Sequence, residues 1–318
     1  MKKYFRYLVD TFFCLLLLLF LGEVTLRFLT TKPAEEIRYK NIHCLKGFRE
    51  IRLCPDVDEV FTRADGKSWD ILTNSTGERI VSKTQILYNP TKVWLIGDSM
   101  SMGYGLPTKE TIAFVLENKF KLKVRVLAVD AIGTNGILSL YLHSYENTKQ
   151  EDLPTHVYWI WNPSDFIDDE REKTGFKKII YPLHFYLTRN LLLYQYLIPS
   201  PKSNVYTNGV PYLYPNSHIT YTNLNQFFTK GMQNKERLTV LFSWGMAPNG
   251  LPDTNDPNYD RANEFFQKHG IRNLDLRKKT EDQFAKGKKI YIPNDGHPDR
   301  DLAEIFAEAI ADDYQKHK

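Results

Sequence analysis

Cysteine is nearly absent: three in 318 residues, which excludes a disulfide scaffold and a four-cysteine zinc site. Charge of one sign is also missing. Forty-two basic against 38 acidic residues leave a formal net charge of +4, too small and too evenly spread for nucleic acid to be the main partner. A mean hydropathy of -0.42 excludes several membrane spans, and 42% hydrophobic with 25% charged residues excludes a wholly disordered chain. The length suggests two domains, or one large one with appendages.

One long apolar run is present, at the amino terminus. Lys2, Lys3 and Arg6 precede Phe12 to Leu21, which holds five consecutive leucines. A secretory signal and a signal anchor share this layout. No small-x-small cleavage site follows; Gly22-Glu23-Val24-Thr25-Leu26-Arg27 continues the helical pattern. With Glu23 and Arg27 reaching toward the interface, Thr11 to Leu29 spans about 30 Å of hydrocarbon. Residues 1–30 are therefore expected to form an uncleaved single-pass anchor, a cleaved signal being the competing reading. The basic residues before the run place the body outside the cytoplasm, in the periplasm if the cell is Gram-negative. In that compartment Cys44 and Cys54, separated by nine residues, are expected to be bridged, whereas Cys14 reads as a small apolar side chain.

Residues 31–88 read as a polar connector without periodic pattern, and residues 89–318 as the body. There Val93-Trp94-Leu95-Ile96, Val124 to Val129, Val157 to Trp161, Leu238 to Phe242 and Ile271 to Leu276 read as five buried strands. Helices are expected over Thr111 to Asn118, Gly136 to Asn147 and Asp260 to His269, the last stopped by Gly270. A final helix capped by Asp299 should bury Leu302, Ile305, Phe306, Ala309 and Ile310. Such alternation implies an α/β fold, a parallel sheet with helices on both faces and a ligand crevice beyond the carboxyl ends of the strands. An insertion at about residues 170–237 holds Tyr181, Phe185, Tyr186, Tyr194, Tyr196, Tyr206, Tyr212, Tyr214, Tyr221, Phe227 and Phe228. It is expected to form a helical subdomain with its own aromatic core; a cap over the crevice or a face resting on a bilayer are the alternatives.

Gly97-Asp98-Ser99 follows the first of these strands directly, where a serine can stand at a helix start. A hydroxyl needs a base held by an orienting group, and Asp295-Gly296-His297-Pro298 supplies both just before the last helix. Each piece alone is weak, since Gly-Asp-Ser is often a turn and Asp-Gly-His a solvent loop. Their joint placement is what points to nucleophilic catalysis.

Val93 to Ser99 resembles the first block of the SGNH/GDSL hydrolase superfamily, and Asp295-Gly296-His297-Pro298 its last, D-x-H-P. Asn74-Ser75-Thr76-Gly77 with Arg79 resembles the N-S-x-G-x-R lead-in of membrane-anchored members. The resemblance, over about residues 70–315, implies a flavodoxin-like three-layer α/β/α fold and a serine nucleophile without metal or cofactor. It makes Ser99 the nucleophile, His297 the general base and Asp295 its orienting group. Gly133, or else Gly136, matches the oxyanion glycine. The third block, usually G-x-N-D, departs here as Trp161-Asn162-Pro163-Ser164-Asp165, so that the oxyanion amide falls to Asn162 or, two residues on, to Ser164. The implied activity is ester hydrolysis on a small-molecule, lipid or glycan substrate. The alternatives are acyl transfer to or from an envelope polysaccharide and a binding or assembly module with little turnover.

Overall fold

The computed structural model describes residues 2–29, 42–46, 50–63, 65–83, 92–130, 132–171, 175–198, 217–231, 237–293 and 295–318. Tyr206, Tyr212, Tyr214 and parts of the connector lie outside these. The amino-terminal half runs α1 (Lys2–Leu29), β1 (His43–Lys46), β2 (Glu50–Leu53), β3 (Asp58–Thr62), β4 (Ser68–Leu72), β5 (Val93–Gly97), α2 (Ser99–Met102), α3 (Ile112–Phe120), β6 (Arg125–Ala128), α4 (Thr134–Glu146) and β7 (His156–Trp161). Then follow α5 (Ser164–Arg171), α6 (Gly175–Asn190), α7 (Leu192–Leu197) and α8 (Ser217–Gln226). The chain ends with β8 (Leu238–Phe242), α9 (Asn258–Lys268), β9 (Arg272–Asp275), α10 (Arg277–Ala285) and α11 (Arg300–His317). Two compact units result: Met1–Arg49 with Lys173–Asn204, and Glu50–Glu172 with Val205–Lys318.

In the first unit, Tyr4–Leu29 of α1 is long and apolar enough to cross a membrane by length and composition, its most apolar 18-residue stretch having a mean hydropathy of 2.2. The helix runs on through Gly22 to Arg27. Its polar end is used: Glu23 accepts the backbone N–H groups of Leu192 (3.1 Å) and Leu193 (2.8 Å), which open α7. Leu191, at the cap position, has no side-chain acceptor to offer, so the carboxylate takes over the capping role. Arg27 bonds Glu23 at 2.7 Å and donates to the Asn190 carbonyl, at the end of α6, at 2.7 Å. Cys44 of this unit is disulfide-bonded, as is Cys54 of the second, and Cys14 is a free cysteine.

In the second unit, five parallel strands stand in the order β6-β5-β7-β8-β9. That is the doubly wound order with its switch point between β5 and β7, where the crevice of such sheets lies. β5, β7 and β8 are buried along their whole length, which is why they read as continuous apolar runs. Each expected strand and helix is present with ends shifted by at most two residues, and Gly270 takes the left-handed φ of +71° after α9. α11 buries Leu302, Ile305, Phe306 and Ile310, with Ala303 and Ala307 in place of the expected Ala309. Helical rotation puts 303 and 307 on the stripe of 306 and 310, and 309 at its margin.

Two readings change. The connector is not patternless: β3 and β4 form an antiparallel hairpin, Asp58 opposite Leu72 and Thr62 opposite Ser68. Phe61, Trp69 and Ile71 form its buried face, an alternation too brief to stand out by period. Nor is the aromatic segment a single subdomain. α6 and α7 belong with α1, while α8 and the π-turn after it pack on the main sheet's helices, Phe227 against Tyr141 (5.7 Å) and Phe228 against Phe266 (6.1 Å).

Candidate active site

β5 delivers Ser99 through a backbone that only glycine fits. Gly97 has φ +147°, and a Cβ there would lie 2.2 Å from Ser101 Oγ. Asp98 then caps α2, accepting the Met100 N–H at 2.9 Å, and Ser99 opens the helix, 8% exposed. The far end of α2 is held by Arg79. Its guanidinium donates to the carbonyls of Met102 (2.8 Å), Gly103 (2.6 Å), Leu106 (2.9 Å) and Asp70 (2.7 Å). The N-S-x-G-x-R lead-in thereby acquires a physical role. Asn74 folds its own turn by accepting the N–H groups of Thr76 and Glu78, each at 2.9 Å. Gly77 (φ +77°) passes where a Cβ would lie 2.2 Å from the Leu53 carbonyl oxygen, and Arg79 clamps the segment after the nucleophile.

The second half comes from the loop before α11. Ile292 receives the N–H groups of Asp295 and Gly296 and donates its own to the His297 carbonyl at 2.8 Å. Gly296, at φ +89°, makes this reversal possible. The side chains of Asp295 and His297 consequently share one side, with His297 Nδ1 hydrogen-bonded to Asp295 Oδ1. The other ring nitrogen, Nε2, lies 2.9 Å from Ser99 Oγ. Three groups 198 residues apart at the extreme are thus in line.

Electrostatics suit this geometry. Burial disfavours the His297 imidazolium, but the hydrogen bond and charge of Asp295, with Asp98 and Asp130 behind, outweigh it and raise the pKa. For Asp295, burial pushes up, yet the bond and charge of His297 and the charge of Arg63 hold the carboxyl below its ordinary range. Asp98 is raised by burial, partly offset by hydrogen bonds from Met100, Asn162 and Ser164 and the charge of His297.

The oxyanion candidates occupy the neighbouring strand ends. Gly133 precedes α4 in an extended conformation, and a Cβ on it would lie 2.4 Å from Asp169 Oδ1 and 2.7 Å from Asp169 N. Gly136 is one turn further on, where a Cβ would meet that of Ile132 at 2.9 Å. Asn162 donates from Nδ2 to Asp98 Oδ2 at 3.1 Å and accepts the Ser164 N–H at 2.9 Å. Ser164 Oγ also reaches Asp98, at 3.3 Å, and hydrogen-bonds Asn162 Oδ1. Both third-block residues thus join one network around Asp98. One hydrogen of the Asn162 amide is held there, leaving the second to donate elsewhere.

Three contributors escaped the sequence reading. Asp98, treated as a motif letter, is the hub of that network. Tyr104 lays its ring against His297, centroids 4.4 Å apart, and against Trp69 of β4 at 5.4 Å. Arg63, buried beside Asp299 at 3.5 Å, donates to the Gly105 carbonyl at 3.2 Å. Among the described residues, no group of three or more His, Cys, Asp or Glu side chains is placed to hold a metal ion.

No family model matches the chain, and no curated protein matches it. Among solved structures it is similar to a lipolytic protein of the G-D-S-L family from Veillonella parvula, at 13% identity and a TM-score of 0.43 over 69% of this chain and 96% of that one. It is similar to a lipase/acylhydrolase from Enterococcus faecalis at 12% identity and a TM-score of 0.42, covering 71% and 95%. The psychrotrophic esterase EstA from a Pseudoalteromonas species gives 15% and 0.37, covering 70% and 96%. Likenesses this distant add no weight to the geometry.

Proposed function

We propose that this chain is a serine-dependent ester hydrolase of the SGNH type, held in a membrane by α1 with its body outside the cytoplasm. One observation carries the reading: His297 meets Ser99 Oγ with one ring nitrogen and Asp295 with the other. In the proposed reaction Ser99 Oγ attacks the ester carbonyl while His297 Nε2 takes its proton, and Asp295 keeps the imidazole's Nδ1–H oriented. The oxyanion is held by the backbone N–H groups of Ser99 and Gly133 and the free hydrogen of the Asn162 amide. His297 then protonates the departing alcohol. Water, deprotonated by the same imidazole, releases the acid from Ser99.

A fluorophosphonate probe tests this directly. It should label Ser99 in the purified protein, and Ser99→Ala should abolish both labelling and hydrolysis of short-chain p-nitrophenyl esters. Labelling that survives in the variant sinks the assignment. The location has its own test: protease added to spheroplasts should digest the body, and a protected body, or a soluble form starting near residue 30, contradicts the anchor.

A further inference from the structure

We propose that α6 and α7 lie on the outer interface of the bilayer that α1 crosses, so that the chain touches the membrane twice. The inference rests on the anchor reading above and adds a second, peripheral contact to it. Ile179, Leu183 and Tyr186 recur at four- and three-residue spacing, one stripe of α6, and are 65%, 60% and 63% exposed. Tyr196, Leu197 and Ile198 at the end of α7 continue the apolar surface, at 61%, 66% and 48%. A cluster of large exposed apolar side chains on adjoining helices exceeds the scattered singles of an ordinary surface.

The link to α1 says what covers it. The corner between α6 and α7 is fixed to the last turns of that helix through Glu23 and Arg27. Leu193 of α7 faces Gly22, where a Cβ would lie 3.5 Å from Leu193 Cδ2. Glu23 and Arg27 are the first charged residues after the apolar run, and within the span Thr11 to Leu29 their side chains reach outward to the headgroup layer. Elements bonded to them sit at the same depth. There an apolar stripe carrying tyrosines is suited to the boundary between acyl chains and water, which a helix in the interface plane occupies. Pro182 lies within α6, where it removes one backbone donor.

The full chain, with Cys14→Ala, is reconstituted in phosphatidylcholine/phosphatidylglycerol vesicles, body outward. A bimane is placed by Leu183→Cys, Leu197→Cys or Glu264→Cys, the last as an aqueous control; the native Cys14 serves as the control for the span. Lipids brominated near the carboxyl end of the acyl chain should quench the bimane at 183 and 197, with iodide quenching several-fold below that at 264. Strong iodide quenching at both positions overturns the proposal. So does shielding from both quenchers, which marks a face covered by protein. A Cys14 reporter that lipids do not quench would instead remove the anchor reading itself. Cys14 quenched by lipid while 183 and 197 face water overturns the peripheral contact alone.

Discussion

Near the amino ends of the central strands, the buried Asp313 accepts the Tyr158 hydroxyl at 2.9 Å and the Arg272 guanidinium at 2.8 Å. Beyond the carboxyl end of β7, the fully buried Asp165 has no hydrogen-bond partner on either carboxyl oxygen among the described residues. Burial, with the charges of Asp98, Asp169 and Asp168, pushes its pKa well above the ordinary carboxylate range. One end of the sheet places a cation and a hydroxyl against its buried acid; the other leaves both carboxyl oxygens of Asp165 without a hydrogen-bond partner among the described residues. Of the acids at this end, Asp98 and Asp130 act with Asp295 on His297 and hold it protonatable. The amino end is arranged for stability, and the carboxyl end gives some up where a field acts on the proposed base.

Mutations at the two ends should therefore separate turnover from stability. Ser99→Ala, at the carboxyl end, should cost about 10⁴–10⁶ in kcat with the melting temperature unchanged, His297→Ala nearly as much, and Asp295→Asn less. Steady-state ester hydrolysis beside calorimetry checks this. An Asp295→Asn loss exceeding that of His297→Ala would reverse the assigned roles. Next in size is the third block: Asn162→Ala should cost about 10²–10³ in kcat with KM little changed, the signature of a donor used in the transition state. If Ser164→Ala produces that loss and Asn162→Ala does not, the oxyanion donor lies two residues along.

Asp313→Ala, at the amino end, should leave kcat alone and cost about 1.5–3 kcal/mol by urea denaturation, since it strands the Tyr158 hydroxyl and leaves Arg272 only its bonds to Thr239. A fall in kcat without a fall in stability would erase the distinction between the ends.

Much of this contrast was invisible in the sequence. The five strands were legible because burial on both faces makes an apolar run, and Ser99, Asp295 and His297 because each sits in a compact local pattern beside a strand or helix end. Asp98, Tyr104 and Arg63 act through partners distant in the chain: Asn162 lies 64 residues from Asp98 and Gly105 42 from Arg63. No period or spacing encodes such pairs. The docking of α7 on Glu23, across 169 residues, was hidden for the same reason. The third block departs from the family pattern in sequence, which did not reveal that Asn162 and Ser164 share Asp98.

Asp165 offers a smaller test. Its folded pKa lies above its unfolded one, so the folded protein holds the proton more tightly, and stability declines as pH rises from the unfolded pKa toward the folded one. Asp165→Asn keeps the shape and removes the titration. The variant should gain melting temperature relative to the native chain as pH rises above the ordinary carboxylate value of 3.8. A constant difference across that range would mean that Asp165 does not titrate differently on folding.

The finest effect concerns the acid limb of kcat/KM. A general base must be neutral, so the rate falls as pH drops through the pKa of His297 in the free enzyme. That pKa is raised, and the limb should lie above the 6.5 of an ordinary imidazole. The same shift stabilises the fold: the contribution is complete below the unfolded pKa and is lost as pH rises through the folded one. Burial alone would lower it, so the lift comes from Asp295 first and from Asp98 and Asp130 after it. Asp295→Asn removes the leading cause and leaves burial in place, which should move the limb to lower pH while kcat falls. Asp98→Asn removes a contribution that acts through charge, and its limb should move the same way by less. A limb that stays put in Asp295→Asn would show that another group sets the base's pKa, and a larger shift from Asp98→Asn than from Asp295→Asn would transfer the orienting role to the buried hub.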